Sequence, residues 1–305
     1  MLHSSDIVSP DKRTPGVAQI DPVIFPVLDK LYARRIQRLS ALADTQGENG
    51  EYFRFLVRLV RAQQQRLEQS HLGSGDVAAI RALFDPKTDP AHLLNNLLTI
   101  SCWQETYTAL AQQVAPMLPQ VVGDKLTTLS ADKERLAHAA VSLLHHNYQQ
   151  VDAGVAVVLW AALSGCWAQA AAAEPVPDMV QAAAQALHCP CCGAPPVASL
   201  VLGGAREGLR YLQCSLCEVR WHKVRAVCVA CGASGKIDHW TLDDAKSAIQ
   251  IETCGDCHTY IKTFRLDYAP ELEAAADDLG SFSLDAAIEA EGFSRIGLNP
   301  FSFPV

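Results

Sequence analysis

Four cysteine pairs, each with two residues between the cysteines, follow one another in the second half of the sequence. Two intervening residues let a tight turn present both sulfurs to one cation, and a hairpin of about 20 residues brings back a second pair. Gaps of 21, 10 and 22 residues separate the pairs, so the long gaps fall within sites and the short gap between them. We therefore predict two tetrahedral metal sites: site 1, Cys189, Cys192, Cys214 and Cys217, and site 2, Cys228, Cys231, Cys254 and Cys257.

The two sites also form an internal repeat. Corresponding cysteines lie 39 or 40 positions apart, which is the length of one module. In each module the first pair is followed by a glycine, Gly193 or Gly232, which can adopt a positive φ and complete the turn. The second pairs are followed by Glu218 and His258, so we expect one regular and one less regular turn in each module.

The sulfur ligands do not identify the metal, because zinc and iron both suit tetrahedral all-thiolate sites. Cys191 lies between two predicted ligands and is spare. It is either an incidental small residue or an accessible thiol made reactive by the nearby metal. Cys102 and Cys166 lie in apolar, helical surroundings, where we expect buried, inert thiols.

The net charge and the N-terminal sequence limit the classes of function that we expect for this chain. The net charge of the 305 residues is -8, which argues against a general nucleic-acid binder. Residues 1–16 are polar and have no apolar signal core or paired arginines, so we expect a cytoplasmic protein. Cytosolic reductants keep thiols reduced, which favours metal binding over disulfides for the 11 cysteines.

Residues 153–173 carry no charge and are long enough to span a bilayer. Because no basic residues flank this segment, we expect a buried central helix and no membrane insertion.

The distribution of apolar residues divides the chain into a helical part and a cysteine-rich part. Three- and four-residue spacing predicts one helix from Leu28 to Leu42 and a second that runs from Phe53 through Leu67 and ends near Gly73. Further helices are predicted at about 90–117, 131–150, 153–173 and 177–187. Beyond Cys189 the chain has short β-type runs, namely VASLVL, LRYLQC, VRWHKV, AIQIETC and TYIKTF. The acidic stretch near 270–293 is predicted to be helical, and the tail that follows docks on the body or on a partner.

The predicted fold class is multidomain, an N-terminal all-α helical bundle followed by two tandem rubredoxin-like or zinc-ribbon modules. The predicted domains are an α-helical domain at 1–187, a first ribbon module at 188–226, a second at 227–268, and an acidic C-terminal helix and tail at 269–305.

Other polar residues are weaker site candidates. With eight cysteines supplying eight ligands, we expect the histidines to be surface groups or to lie behind the ligands: His145, His146, His222, His239 and His258. Several basic residues mark either a solvated hairpin face or a docking surface for an acidic partner: Arg206, Arg210, Arg220, Lys223 and Arg225. The sequence has no nucleotide-binding loop, nucleophile elbow or zinc-protease helix, and thiolates fill every predicted metal position. We therefore do not expect an enzyme.

The segments CPCCGAPPVASLV, GLRYLQCSLCEVRWHKVRAVCVACG and ETCGDCHTYIK, after a helical region, resemble the FdhE family of accessory proteins for bacterial respiratory formate dehydrogenases. The resemblance implies a cytoplasmic maturation factor that binds the catalytic subunit of formate dehydrogenase. It also implies that the eight paired cysteines bind two metal ions, with iron favoured and zinc still compatible. Cys191 has no counterpart role in the family pattern.

Two alternatives remain open. One is a zinc-ribbon protein that binds nucleic acid, although the acidic second module counts against it. The other is a rubredoxin-like electron carrier, for which a helical region of this length would be superfluous. Self-association is compatible with either role.

Overall fold

The computed structural model describes residues 20–84, 88–173, 183, 186–241 and 247–304. The N-terminal part is helical, and the cysteine-rich part forms a mixed sheet flanked by two further helices. The helices are α1 Leu28–Thr45, α2 Gly50–Gln69, α3 Ser74–Arg81, α4 Pro90–Thr99, α5 Ser101–Val114, α6 Gln120–Ala131, α7 Lys133–Leu144, α8 Ala153–Ala172, α9 Ala274–Gly280 and α10 Phe282–Ala290. The strands are β1 Val23–Ile24, β2 Pro196–Val201, β3 Arg210–Cys214, β4 Arg220–His222, β5 Ile237–Trp240, β6 Ile249–Cys254, β7 Thr259–Arg265 and β8 Ser294–Arg295.

Helix α8 lies at the centre of the helical part. Its apolar residues are buried around nearly the whole circumference, and it packs against α2, α3, α5 and α7. Among the described residues it is the one helix whose length and composition would suit a bilayer, yet 83% of its most apolar window is buried within the protein. This agrees with the predicted buried central helix, since a helix that is apolar on all sides needs protein on all sides.

The predicted periodicity located the long helices but not every break. The helix predicted at 90–117 is divided into α4 and α5 at Ile100, whose extended backbone (ψ 109°) ends the first helical run. The helix predicted at 131–150 ends at Leu144, because His146 adopts a positive φ of 63°. Helices α3 and α6 were not predicted. The helix predicted at 177–187 lies largely outside the described residues, as do residues 1–16.

The repeat predicted from cysteine spacing appears in the order of elements. In each module a cysteine turn is followed by two antiparallel strands, a second cysteine turn and a third strand. The two three-stranded units join through β2 and β7, which run parallel with Ser199 opposite Thr263, giving the sheet order β1-β4-β3-β2-β7-β6-β5. Strand β1 from the N-terminal part extends one edge, and β8 pairs with the start of β7.

The C-terminal tail docks on the protein's own body. Phe301 and Phe303 are buried in the same apolar core as the helical bundle, and Phe303 lies edge-on to both Tyr148 and Trp160. The acidic segment before the tail forms α9 and α10, as predicted. Of the two options that the sequence left open for the tail, the structure therefore has the intramolecular one.

Candidate metal centres

The four sulfurs of site 1 lie close enough together to surround one ion. All four Sγ atoms are within 4.8 Å of one another, and Cys189 to Cys217 and Cys192 to Cys214 are 3.5 and 3.4 Å apart. A tetrahedron with metal-to-sulfur bonds of about 2.3 Å has sulfur-to-sulfur edges of about 3.8 Å. The cluster therefore has the donors and nearly the dimensions of a tetrathiolate site for zinc or iron.

Site 2 has the same arrangement in a different environment. Its sulfurs also lie within 4.8 Å of one another, with 3.6 Å between Cys228 and Cys257 and 3.8 Å between Cys231 and Cys254. All four cysteines of site 1 are buried, whereas in site 2 Cys231 is exposed and Cys257 is half-buried. The two clusters are thus alike in geometry and unlike in access to solvent.

All four cysteine turns contain one residue in the left-handed region of backbone space. The residue after the second cysteine of each pair has a positive φ: 72° at Gly193, 61° at Glu218, 78° at Gly232 and 54° at His258. The expectation that the second turn of each module is less regular is therefore wrong. The turn geometry, set by closing two sulfurs on one point, imposes the left-handed conformation on Glu218 and His258 despite its cost of about 1–2 kcal/mol for residues with a Cβ.

Backbone N–H groups and burial set the protonation of the thiols. The Sγ of Cys214 accepts hydrogen bonds from the amides of Leu216 and Cys217, each at 3.3 Å. Burial raises the pKa of Cys189 and Cys217 well above the usual thiol value. Burial also acts to raise the pKa of Cys228, but hydrogen bonds outweigh it and the pKa falls to about 7. Four thiolates at site 1 therefore need a cation to balance their charge.

Helix α8 anchors the second cysteine turn of site 1. The indole Nε1 of Trp160 donates to the carbonyl oxygen of Ser215 at 2.9 Å, and Oγ of Ser164 donates to that of Leu216 at 2.7 Å. These two side chains satisfy carbonyl groups of the turn that would otherwise be buried without partners. Site 1 is consequently built into the core of the helical part.

Helix α1 contacts the same turn through a buried ion pair. Nη1 and Nη2 of Arg35 donate to the two carboxylate oxygens of Glu218 at 2.8 and 3.1 Å, and Nη2 also donates to Glu273 at 2.8 Å. Gln213 completes the arrangement by donating to Glu218 at 2.7 Å. Sequence reasoning noted Glu218 only as a departure from glycine, since its partner lies 183 positions away.

The spare cysteines are buried. Cys191 is 5% exposed. A reactive thiol would have to be accessible, so of the two interpretations of Cys191 the structure favours the small, packed residue. Hydrogen bonds from Cys189 and Cys217 lower its pKa to about 6, so it lies next to the site 1 sulfurs. Cys102 and Cys166 are buried as predicted, and Sγ of Cys166 lies 3.8 Å from Oγ1 of Thr106.

The histidines are not part of either cysteine cluster, and two of the basic residues are buried. Neither four-cysteine cluster includes a histidine, and His239 and His258 are exposed. The basic residues do not form one face, because Arg210 and Lys223 are buried. Arg210 donates to Glu252 of the second module at 2.7 Å, so charge pairing across the modules has drawn it inside. The prediction of a single solvated or docking face is therefore wrong for these two residues.

The comparisons with known proteins cover the whole described chain. Three family descriptions match in order: "FdhE, N-terminal" at residues 20–184, "FdhE, central domain" at 188–225 and "FdhE, C-terminal domain" at 226–302. Among curated relatives, "Protein FdhE" of Escherichia coli K12 and of E. coli O157:H7 (strain EC4115) are each 37% identical over 308 residues, covering 100% of this chain and 97% of theirs.

A solved structure has the same fold. The crystal structure of the FdhE protein from Pseudomonas aeruginosa superposes with a TM-score of 0.76 at 29% identity, covering 92% of this chain and 98% of that one. The resemblance inferred from the cysteine turns and their flanking residues is thus confirmed. The chain belongs to the FdhE family.

Proposed function

We propose that this chain is a cytoplasmic, metal-binding accessory protein that binds the catalytic subunit of a formate dehydrogenase and is required for that enzyme to become active. We propose no catalytic activity for the chain itself. The observation that carries the proposal is full-length membership of the FdhE family combined with two intact tetracysteine clusters. The cellular role comes from the family resemblance, and the metal chemistry comes from the sulfur geometry.

We further propose that each cluster binds one metal ion, with the eight paired cysteines as ligands. The family resemblance favours iron, and the sulfur geometry suits zinc equally well. When bound, the ion at site 1 joins the first module to the helical core, because its sulfurs and their turns are buried among α1 and α8. An ion at site 2 is reachable through Cys231 and Cys257, so any redox or exchange chemistry belongs there.

The test is complementation of an E. coli strain that lacks its own FdhE protein. Expression of this chain is expected to restore formate dehydrogenase activity, and the double variant Cys231→Ser/Cys257→Ser is expected to fail. Cys102→Ser, a buried thiol outside both clusters, is the matched control and should restore activity. Restoration by the variant without site 2 would show that this metal site is dispensable for the role.

A second experiment tests the partner directly. The tagged chain should retain the formate dehydrogenase catalytic subunit on an affinity column when that subunit is co-expressed without its other subunits. Failure of the wild-type chain to retain it, in a strain where complementation succeeds, would remove direct binding from the proposal.

A further inference from the structure

An arginine-lined cleft lies beside Glu218, the residue that directly follows Cys217 of site 1. Its walls are the start of α1, strand β4 and the turn at 203–206, and it consists of two adjoining cavities of about 450 and 210 Å³. Arg34 and Arg220 line both cavities, so their side chains stand at the junction. The larger cavity falls within the usual size range of about 300–1,000 Å³ for small-molecule sites.

The two guanidinium groups at the junction have unused donors. Arg220 donates through Nε to Gln213 at 2.9 Å, and within the described residues its two terminal nitrogens have no hydrogen-bond partner. Nη2 of Arg34 donates to the carbonyl oxygens of Pro270 and Leu272, which leaves Nε and Nη1 without a partner among the same residues. Neither guanidinium has a carboxylate within ion-pairing distance in that part of the chain.

The acidic side chains that line the cleft, Glu218 and Asp267, are already paired. Glu218 binds Arg35, Asp267 binds Arg265 at 2.6 Å, and Asp21 binds Arg206 at the rim. Lys30 lines the smaller cavity, is exposed, and has no acidic partner in the described chain. The cleft therefore holds three cations without a carboxylate partner: Lys30, Arg34 and Arg220. Arg35 is shared by Glu218 and Glu273, so one carboxylate charge offsets one of the three, and the net charge at the cleft is +2.

The buried guanidinium of Arg220 and its unused donors favour a bound negative charge in the cleft. Burial lowers the pKa of Arg220 below its usual value; the negative charges of Glu273 and Glu218 oppose this shift, and the positive charges of Arg34 and Arg35 add to it. Removing a guanidinium group from water without pairing it to a carboxylate is unfavourable, and a bound anion would offset this desolvation penalty.

We propose that this cleft is a binding site for a phosphate-bearing small molecule, with Arg34 and Arg220 as the phosphate ligands. The planar fork of arginine matches the oxygens of phosphate or carboxylate in bidentate contacts. The net charge of +2 at the cleft matches the double negative charge of a phosphate monoester better than the single charge of a carboxylate. The cleft and site 1 are neighbours, because Glu218 lines the cleft and is also the last residue of the second cysteine turn of site 1.

Isothermal titration calorimetry of the full, metal-loaded chain with inorganic phosphate and with glycerol phosphate tests the proposal. Saturable one-to-one binding is expected in a chloride buffer. Arg220→Gln and Arg34→Gln should each weaken it about 10- to 100-fold, the loss expected for charge-assisted hydrogen bonds. Arg61→Gln, an exposed arginine on α2 away from the cleft, is the matched control and should leave the affinity unchanged.

Other outcomes would overturn the assignment. Absence of saturable binding to the wild-type chain at millimolar ligand, or equal affinity for succinate and phosphate, would contradict a phosphate site. If the arginine variants do not fold, Lys30→Gln decides, since this exposed side chain can be changed without loss of packing; an unchanged affinity and salt dependence would contradict the proposal. Because the titration uses no formate dehydrogenase, its result is independent of the proposed accessory role.

Discussion

Nη1 of Arg35 lies 2.8 Å from Oε1 of Glu218, and both side chains are 3% exposed. The pair joins the first long helix to the second cysteine turn of site 1, and Glu273 at the start of α9 shares the same guanidinium. Two carboxylates and one arginine thus connect the N-terminal, central and C-terminal parts of the chain at the edge of a metal site.

Arg35→Met should lower the free energy of unfolding by about 3–5 kcal/mol, because it leaves two buried carboxylates without a counter-charge. Urea unfolding followed by far-ultraviolet circular dichroism measures the change. Arg54→Met removes an exposed ion pair to Glu51 from a similar helix and should cost no more than about 0.5 kcal/mol. Equal effects of the two substitutions would contradict the role assigned to Arg35.

Acid should destabilise the protein through Glu273. Burial alone would raise its pKa, but Arg35 outweighs burial and the pKa lies below the usual value. A carboxyl group with a depressed pKa in the folded state contributes stability above its unfolded pKa, about 4.3, and that stability is lost as the pH falls through the folded pKa. Glu273→Gln should therefore flatten the fall in unfolding free energy below about pH 5. Glu68→Gln, at an exposed position, should leave the slope as in the wild type.

Substitution by glycine should stabilise the protein at His258, where φ is positive, and destabilise it at His239, which lies in an ordinary strand. His258 is exposed with φ 54°, so His258→Gly removes left-handed strain and should stabilise site 2 by about 0.5–1 kcal/mol. His239→Gly, at an exposed position in strand β5, should destabilise by about the same amount because glycine loses more backbone entropy there. Thermal unfolding of the metal-loaded protein measures both, and a lower midpoint for His258→Gly would contradict the strain argument.

The two sites should release metal at different rates. Site 2 has an exposed and a half-buried cysteine, whereas site 1 is fully buried, so a chelator should remove one equivalent quickly and the second slowly. A chromogenic chelator such as pyridylazoresorcinol records the two phases. Cys231→Ser/Cys257→Ser should abolish the fast phase and leave the slow one. A single phase with two equivalents in the wild type would contradict the difference in burial.

The division into domains remains a prediction that substitution can test. Cys214→Ser/Cys217→Ser should empty site 1 while the helical circular dichroism signal persists, although the thermal midpoint should fall because this turn shares an apolar core with α8. Loss of the helical signal together with the metal would show that the helices and the first module fold as one unit.

Sequence reasoning recovered the features that depend on local spacing. The cysteine turns, their assignment to two clusters, and the long helices α1, α2 and α8 all follow from residues close together in the chain. The sequence did not predict which distant segments contact each other. The parallel pairing of β2 with β7 and the Arg35–Glu218 pair join residues tens to hundreds of positions apart, and no property of one sequence specifies such partners. The break at Ile100 was missed because neither proline nor glycine marks it.

The measurement that tests the central claim most directly is metal content per chain for protein purified without oxygen, in the wild type and in the two cluster variants. Elemental analysis should find two ions in the wild type and one in each of Cys214→Ser/Cys217→Ser and Cys231→Ser/Cys257→Ser. If the ions are iron, oxidation should bring sulfur-to-iron charge-transfer bands, and two zinc ions would keep both sites while removing the redox role. Folded wild-type protein without metal, or two ions retained in either variant, would contradict the account.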